Sequence, residues 1–269
     1  MSRSKPQTRG IGFIRANGVV FGLLLAAPLI GVLALRRATP EEKEKSPTKG
    51  MLVQPLDLER TLNGATIRIL DTRPKDAYDK GHIPGALRVD VASWQELGKL
   101  EGGFRDSKAW GQKVSELGIG ADTRVVVYGN SLTDTARIWW TLKYLGLENV
   151  TVLDGGWDAW LREKRPAETI VPQVAAAQFV PKFDADRLME IDPLKGSLRS
   201  GKVKVVDARS KDEFTGKELR GKRGGHITGA THLEWKELVA GDGRFKTPDQ
   251  LRAVFRERGI LPTETTVCY

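Results

Sequence analysis

Cysteine and histidine are scarce in this sequence: one cysteine, Cys268, and three histidines, His82, His226 and His232, occur among 269 residues. A single cysteine excludes a framework of disulfides within the chain, and the few cysteines and histidines do not have the spacing of a zinc site. The sequence also has no glycine-rich nucleotide loop and no flavin-binding motif. We therefore expect a protein that works without a metal and without a cofactor.

An excess of positive charge is missing from most of the chain as well. The formal net charge is +9, but residues 1–50 hold nine Lys/Arg and three Asp/Glu and so account for six of these charges. The remaining 34 basic and 31 acidic residues nearly balance, and they include no basic run with interleaved aromatic residues. Because nucleic-acid binding needs such a basic surface, we expect no nucleic-acid partner.

Charged side chains are absent from Ala16–Leu35, a run of 20 residues that follows basic residues at positions 3, 5, 9 and 15. This pattern is typical of an export signal, and 20 helical residues just span a bilayer core. Arg36 and Arg37 follow directly, where a cleaved signal has small residues, so we expect an uncleaved anchor. Residues 1–50 are thus predicted to form a signal or anchor helix (about 16–35) and a charged linker. The folded part would lie on the periplasmic side, anchored in the inner membrane; the alternative is a buried helix of a soluble domain.

Two segments of the remaining chain resemble each other. Residues 65–73, followed by GHIPGA at 81–86, match residues 202–209, followed by GHITGA at 225–230. Residues 118–128 also align without gaps to residues 259–269. A repeat of about 140 residues is too long for a solenoid unit and predicts two homologous domains. We call residues 51–166 the first repeat and residues 183–269 the second repeat; residues 167–182, rich in proline and alanine, are predicted to be an extended linker.

Within the first repeat, short apolar runs alternate with longer amphipathic segments. Residues 67–70, 125–128 and 150–153 are apolar runs typical of strands buried on both faces, and residues 136–146 have helical spacing with a glycine at the end. Alternating strands and helices predict a parallel α/β sheet. Ligands of such sheets bind outside the carboxyl ends of the strands, where Asp71, Gly129 and Asp154 are expected.

These motifs together resemble the rhodanese family of sulfurtransferases in its tandem, two-domain form. The matching segments are DTR at 71–73, GHIPGA at 81–86, LDGGWDAW at 153–160, DARSKDEFTG at 207–216 and RGGHI at 223–227. The resemblance covers about residues 52–269 and implies two rhodanese-like domains, each a parallel sheet flanked by helices. It also implies transfer of a sulfane sulfur from a small anionic donor such as thiosulfate to a thiol or cyanide acceptor, through a cysteine persulfide.

The nucleophile of that family begins a loop directly after a strand, and the loop usually ends with arginine. In the first repeat this position is Gly129, so the first domain is expected to be non-catalytic. The gapless alignment places Tyr269 on Tyr128, so the nucleophile of the second domain is expected immediately after Tyr269. The second domain is then truncated at its carboxyl end, and the chain as given is predicted to be inactive. Cys268 aligns with Val127 inside a strand, where a cysteine is most often a small buried residue; the alternative is that Cys268 is the nucleophile.

Further residues are predicted to support the site. The resemblance places Asp207, Arg209, Arg223 and His226 near the substrate, with Asp71, Arg73, His82 and Gly129 as their counterparts or as structural residues of the first repeat. Each Asp/Arg pair is more typical of a hydrogen-bonded turn after a strand, and each histidine is more typical of a structural side chain than of an acid–base group. The second repeat has about eight additional residues between Phe214 and Gly225, whose basic side chains face either an anionic donor or only solvent.

Three other functions remain open at this point. A 3-mercaptopyruvate sulfurtransferase would differ in the loop after Tyr269, and phosphatase or arsenate reductase chemistry would use a longer cysteine loop at the same place. A non-catalytic binding module with two inactive rhodanese folds would need no nucleophile. Because the second repeat lacks the segment that follows Tyr128 in the first, we also expect its last strand to be left with an apolar face that nothing covers, a state prone to misfolding or edge pairing.

Overall fold

A computed structural model describes residues 13–17, 50–62, 64 and 66–269. The strands are β1 (Phe13–Asn17), β2 (Leu52–Val53), β3 (Ile67–Asp71), β4 (Ala86–Arg88), β5 (Arg124–Tyr128), β6 (Val150–Leu153), β7 (Leu188–Met189), β8 (Lys204–Asp207), β9 (Thr231–His232) and β10 (Thr265–Cys268). The α-helices are α1 (Pro55–Glu59), α2 (Lys75–Asp79), α3 (Val91–Lys99), α4 (Ser107–Ser115), α5 (Leu132–Tyr144), α6 (Gly156–Arg162), α7 (Ile191–Arg199), α8 (Lys211–Thr215) and α9 (Pro248–Glu257).

The first repeat forms a parallel sheet of five strands in the order β2-β6-β5-β3-β4. Its three central strands are the three apolar runs, so this prediction is confirmed. Side chains of β5 alternate between two hydrophobic clusters: Val125 and Val127 pack on one face, Val126 and Tyr128 on the other. Both faces are therefore covered, as the unbroken apolar runs require.

Helix α5 connects β5 to β6 and begins at the carboxyl edge of the sheet. Ser131 caps it by accepting a hydrogen bond from the Asp134 N–H at 3.3 Å, which satisfies one of the free amides of the first turn. The helix therefore starts four residues before the predicted segment, and it ends at Tyr144, just before Gly146. Helix α6 starts after Gly155, whose φ of 76° favours glycine.

A second five-stranded sheet has the order β7-β1-β10-β8-β9. Strands β10, β8 and β9 are parallel, whereas β1 runs antiparallel to both β10 and β7. Along the edge of the last strand, residues 13–17 pair with β10. The expectation concerned an apolar face of this strand, which edge pairing does not cover. One side of β10 is packed as well, since Val267 lies in a cluster with Met189, Leu194 and Val205.

The predicted helix of about 16–35 overlaps β1 at its start. Ala16 and Asn17 are strand residues, so a helix beginning at Ala16 is wrong, and residues 18–35 lie outside the described residues. A strand forms here because an open β10 edge offers hydrogen-bond partners to an extended segment. Within the described part of the chain, no helix is both long and apolar enough to cross a bilayer.

The predicted linker, residues 167–182, follows the surface of the first repeat in an extended conformation. Its Ala177 N–H donates to the Ser115 carbonyl at 3.0 Å, and Phe179 is buried in the larger hydrophobic cluster of the first sheet. Near its end, a Cβ at Gly146 would lie 2.4 Å from the Lys182 carbonyl oxygen. Because of these contacts, the linker is packed against the first repeat.

Candidate active site

Asp71, Gly129 and Asp154 follow three neighbouring strands at the carboxyl edge of the first sheet, as predicted. Asp71 ends β3 opposite Tyr128, the last residue of β5. The Gly129 carbonyl accepts a hydrogen bond of 3.1 Å from the Trp157 N–H, which joins the loop after β5 to the start of α6. The sequence thus predicted correctly that these three residues lie at one edge of the sheet, the expected crevice of the first repeat.

Asp71 and Arg73 form a buried ion pair in this crevice. The Arg73 Nε and Nη2 donate to the Asp71 carboxylate at 3.0 and 2.6 Å, and the Arg73 N–H donates to the same carboxylate at 2.8 Å. Arg73 Nη2 also donates to the Gly81 carbonyl at 2.7 Å, and its guanidinium lies 4.1 Å from the Trp157 ring centroid. With all these partners inside the protein, Arg73 is only 4% exposed and has a structural geometry.

The hydroxyl of Tyr128 completes this arrangement. It donates to Asp71 Oδ2 at 2.6 Å and accepts from the Ile83 N–H at 3.1 Å. Burial and the Asp71 charge raise the pKa of Tyr128 far above its ordinary value of 10.0, so this hydroxyl stays protonated. The side chain therefore ties the ends of β3 and β5 to the GHIPGA turn.

His82 also has structural contacts. It is fully buried, its Nδ1 and Nε2 lie 2.9 and 3.1 Å from the carbonyl oxygens of Tyr78 and Ile170, and its ring stacks on Tyr78 at 3.9 Å. Because both ring nitrogens already have carbonyl neighbours, His82 is held as a link between the GHIPGA turn and the linker.

Gly129 stands where the related family has its nucleophile, and there is no room for a side chain at this position. A Cβ on Gly129 would lie 2.2 Å from Thr72 Oγ1 and 3.1 Å from Thr135 Oγ1. The surrounding loop contributes Ser131 and Thr133, whose hydroxyl oxygens are 3.0 Å apart and exposed. The first repeat therefore offers neither a thiolate nor a base that would activate a hydroxyl.

We call Asp71, Arg73 and Tyr128 with their hydrogen bonds the frame of the first repeat. The second repeat has the same frame, built from Asp207, Arg209 and Tyr269. Arg209 Nε and Nη2 donate to the Asp207 carboxylate at 3.0 and 2.6 Å, and Nη2 donates to the Gly225 carbonyl at 2.8 Å. The Tyr269 hydroxyl hydrogen-bonds Asp207 and accepts from the Ile227 N–H at 2.9 Å.

Exposure distinguishes the two frames. The Arg209 side chain is 29% exposed, against 4% for Arg73. The hydrogen bond to Asp207 and the charge of that carboxylate hold the pKa of Arg209 above its ordinary value, although burial acts against this. A fixed, partly exposed cation therefore stands at the end of β10.

His226 and Phe214 occupy the places of His82 and Tyr78. Their rings stack at 3.8 Å, and His226 Nδ1 lies 2.8 Å from the Phe214 carbonyl oxygen. His226 is exposed, whereas His82 is fully buried. His232, which the sequence left without a role, lies with its Nε2 3.0 Å from the Arg209 carbonyl oxygen and stacks on Phe214.

Cys268 lies inside β10 and pairs with Val206. Its counterpart Val127 pairs with Leu70 in the same register, which agrees with the gapless alignment. Burial, and to a smaller extent the Asp207 charge, raise the pKa of the Cys268 thiol from its ordinary value of 9.0 to about 12. A nucleophilic cysteine needs the opposite shift. The Cys268 side chain is half-buried.

The additional segment of the second repeat carries exposed basic residues, of which Lys217 and Arg220 are paired; Lys217 Nζ lies 3.6 Å from Asp212 Oδ1. Arg220 Nε donates to Glu213 Oε1 at 3.1 Å, and its Nη2 lies 2.9 Å from Glu218 Oε1. Glu213 belongs to the capping box of α8, where it also accepts from Ser210. Arg223 is exposed and lies two residues before Gly225, whose carbonyl accepts from Arg209.

Sequence reasoning missed the contact between the two repeats at Asp154. Asp154 is 5% exposed; its Oδ1 accepts from the Phe245 N–H at 2.9 Å and its Oδ2 from Gln54 Nε2 at 3.0 Å. The Arg162 side chain donates to the Asp242 carbonyl at 2.8 Å, and Glu163 pairs with Arg244. No sequence motif predicts such a contact, because it depends on how the two repeats meet.

The roles of Thr72 and of the two tyrosines were also missed. The signal was present for the tyrosines, since Tyr128 and Tyr269 are identical residues at the end of the gapless alignment. Thr72 and Ala208 differ between the repeats, and only the contact with Gly129 shows why that difference matters. Within the described residues, no group of three or more His, Cys, Asp or Glu side chains is arranged to hold a metal ion.

Comparison with known proteins supports the resemblance seen in the sequence. Residues 54–163 match the family model of the rhodanese-like domain. A thiosulfate sulfurtransferase of Corynebacterium glutamicum is 34% identical over 71% of this chain and 67% of its own length. The sulfur carrier protein TtuD of Thermus thermophilus is 33% identical over 71% of this chain and 72% of its own length.

More distant relatives include a second kind of sulfurtransferase. The human 3-mercaptopyruvate sulfurtransferase is 29% identical over 68% of this chain and 64% of its own length. Among solved structures, SseA of Escherichia coli, described as a 3-mercaptopyruvate sulfotransferase with the rhodanese fold, superposes with a TM-score of 0.69. It is 27% identical and covers 78% of this chain and 84% of its own.

Proposed function

The chain belongs to the rhodanese family of sulfurtransferases, and we propose that its second repeat is the part that transfers sulfane sulfur, from thiosulfate to a thiol or cyanide through a cysteine persulfide. The first repeat is proposed to be non-catalytic. The nucleophile is proposed at the position directly after Tyr269, which corresponds to Gly129 of the first repeat. On this proposal the 269-residue chain alone transfers no sulfur.

The observation that carries this proposal is the frame at the end of β10. Asp207, Arg209 and Tyr269 repeat the geometry of Asp71, Arg73 and Tyr128, but Arg209 is partly exposed. A thiolate at the end of β10 would therefore lie beside the Asp207–Arg209 ion pair, whose partly exposed guanidinium can donate to an anion.

In the proposed reaction the thiolate attacks the outer sulfur of thiosulfate. The sulfur–sulfur bond of thiosulfate breaks, and sulfite leaves with the electron pair while a persulfide forms on the cysteine. The acceptor then attacks the outer persulfide sulfur and restores the thiolate. Arg209, held by Asp207 and the Gly225 carbonyl, and the exposed Arg223 would attract the two anions that enter and leave.

A 3-mercaptopyruvate donor is the second candidate, because relatives of that kind match the chain at 27–29% identity. Each donor carries a transferable sulfur and an anionic group in one small molecule, so the same cations would serve both. Comparing kcat/KM for thiosulfate and for 3-mercaptopyruvate distinguishes them. A preference for 3-mercaptopyruvate would replace the donor and leave the rest of the proposal unchanged.

We also propose that the uncharged run that ends at Leu35 anchors the protein in the inner membrane, with the folded part on the periplasmic side. The pairing of residues 13–17 with β10 argues against this anchor, because an anchor would put those residues and the second repeat on opposite sides of the bilayer. Alkaline extraction of membranes and protease accessibility of spheroplasts test this. Recovery of the protein in the soluble fraction would refute the anchor.

The coding sequence beyond the Tyr269 codon tests the proposed nucleophile. We expect a cysteine codon next and an arginine codon about five positions later. A stop codon at that point would overturn the enzyme proposal in favour of a non-catalytic binding module with two rhodanese folds. A codon for another residue would likewise remove persulfide chemistry from this position.

A further inference from the structure

Thr72 lies beneath the loop that follows β5. Its hydroxyl donates to the Tyr128 carbonyl at 3.0 Å and lies 3.2 Å from Thr135 Oγ1, which donates to the Ser131 carbonyl at 2.9 Å. Both threonines are buried, with 7% of Thr72 and 3% of Thr135 exposed. The two hydroxyls therefore fill the space inside the loop.

This hydroxyl is what requires glycine at position 129. The φ angle of Gly129 lies outside the left-handed region, so its backbone conformation is open to any residue. The obstacle is steric, because a Cβ would lie 2.2 Å from Thr72 Oγ1 and 3.5 Å from Thr72 Cβ.

No rotamer change of Thr72 makes room for a Cβ at position 129 without a loss of free energy. The Thr72 side chain could rotate so that its Cβ hydrogen points towards position 129. This rotation would break the hydrogen bond from the Thr72 hydroxyl to the Tyr128 carbonyl. The rotamer that exchanges the hydroxyl for the methyl group would leave a branch of similar size in the same place. A side chain at position 129 therefore requires either a lost buried hydrogen bond or a displaced loop.

Ala208 is the counterpart of Thr72 in the second repeat. The Ala208 N–H donates to the Tyr269 carbonyl at 2.9 Å, as the Thr72 N–H donates to the Tyr128 carbonyl at 2.9 Å. Alanine has no γ atom, so the space beneath the position that follows Tyr269 is free of the branch that blocks Gly129.

We propose that Thr72 is the residue that excludes a nucleophile from the first repeat, and that alanine at position 208 admits one in the second. The steric part of this statement stands on the contacts of Thr72 and Gly129 alone, and its meaning for catalysis rests on the proposed function. In the first repeat, the Thr72 side chain thus occupies the space that a nucleophile at position 129 would need.

Variants of the full-length protein test whether Thr72 excludes a side chain at position 129. The readout is thermal unfolding of the first repeat, monitored by hydrogen exchange in β3 and β5. Gly129→Ala is expected to lower the melting temperature by about 5 °C or more, as overpacking of a filled interior does. Thr72→Ala is expected to remove most of this loss, so that Gly129→Ala costs clearly less in the Thr72→Ala background than in the parent. Thr72→Val is the matched control: it removes the hydroxyl and keeps the branch, and it should give no such rescue.

The same comparison with a cysteine addresses the nucleophile itself. In a Cys268→Ala background, Gly129→Cys should leave the first repeat folded only when Thr72→Ala is present. If Gly129→Ala prevents folding altogether, the contrast between Thr72→Ala and Thr72→Val in the double variants carries the test.

Equal losses from Gly129→Ala in the Thr72 and Thr72→Ala backgrounds would overturn the proposal. Equal rescue by Thr72→Ala and Thr72→Val would overturn it too, because the branch would then not be the obstacle. Neither readout involves sulfur transfer, so a failure here is distinct from a failure of the proposed function.

Discussion

The Tyr128 hydroxyl donates a hydrogen bond of 2.6 Å to the Asp71 carboxylate and thereby joins the ends of two neighbouring strands. The same oxygen accepts from the Ile83 N–H, so one hydroxyl holds together β3, β5 and the GHIPGA turn. Tyr269, Asp207 and Ile227 repeat this relationship in the second sheet. The frame is thus a structural unit that both repeats contain.

Removing this hydroxyl should destabilise the first repeat. Tyr128→Phe takes an acceptor from the buried Ile83 N–H and a donor from the buried Asp71 carboxylate, which costs about 2 kcal/mol. Urea unfolding measures the loss. A cycle with Asp71→Asn gives the matched control: the two changes should be non-additive, and simple additivity would show that the hydroxyl and the carboxylate do not act together.

The contact at Asp154 should link the two repeats in unfolding. Asp154→Ala removes the acceptor of the Phe245 N–H and of the Gln54 amide, with an expected loss of about 1–3 kcal/mol and faster hydrogen exchange at Phe245. Asp158→Ala is the control, because Asp158 is exposed and pairs only at the surface with Asn130; it should change stability by less than about 0.5 kcal/mol. Similar losses from both variants would refute the role of Asp154.

Acid should weaken the second frame. Burial acts to raise the pKa of Asp207, but hydrogen bonds from the Arg209 side chain and backbone outweigh it and hold this pKa below its ordinary value of 3.8. Ionised Asp207 therefore stabilises the folded state above about pH 4. This stabilisation is lost as the pH falls below the ordinary pKa of 3.8 and through the lower pKa of Asp207 in the folded protein.

Hydrogen exchange of β8 and β10 between pH 3 and 6 measures this loss. Asp207→Asn should reduce the pH dependence and lower stability at neutral pH, whereas Asp192→Asn, at an exposed ion pair with Lys195, should do neither. An unchanged pH profile in Asp207→Asn would contradict the assignment.

Cys268 should react slowly with alkylating reagents. A pKa of about 12 in place of the ordinary 9.0 leaves about a thousandfold less thiolate at pH 8. Iodoacetamide labelling followed by mass spectrometry measures the rate in the native protein, with the urea-unfolded chain as control. Native labelling as fast as in urea would contradict the packing role and would reopen Cys268 as a nucleophile.

The predictable part of the fold follows from burial. The apolar runs that became β3, β5 and β6 are covered on both faces, so hydrophobicity alone located them and placed Asp71, Gly129 and Asp154 at one edge. The start of α5 was missed by four residues because its first turn is set by a polar cap at Ser131 rather than by apolar periodicity.

What the sequence did not show depends on distances between segments far apart in the chain. The clash between Thr72 and a side chain at Gly129 joins residues 57 positions apart, and the bond between Asp154 and Phe245 joins residues 91 apart. The pairing of residues 13–17 with β10 belongs to the same class, because an edge strand accepts any extended partner that reaches it.

Sulfur is proposed to be carried on a cysteine directly after Tyr269. The most direct test of this proposal is peptide mass mapping of the gene product after incubation with thiosulfate, with alkylation to trap the persulfide. We predict one added sulfur on the cysteine that follows Tyr269 and none on Cys268. An added sulfur on Cys268, or on neither residue, would contradict the account.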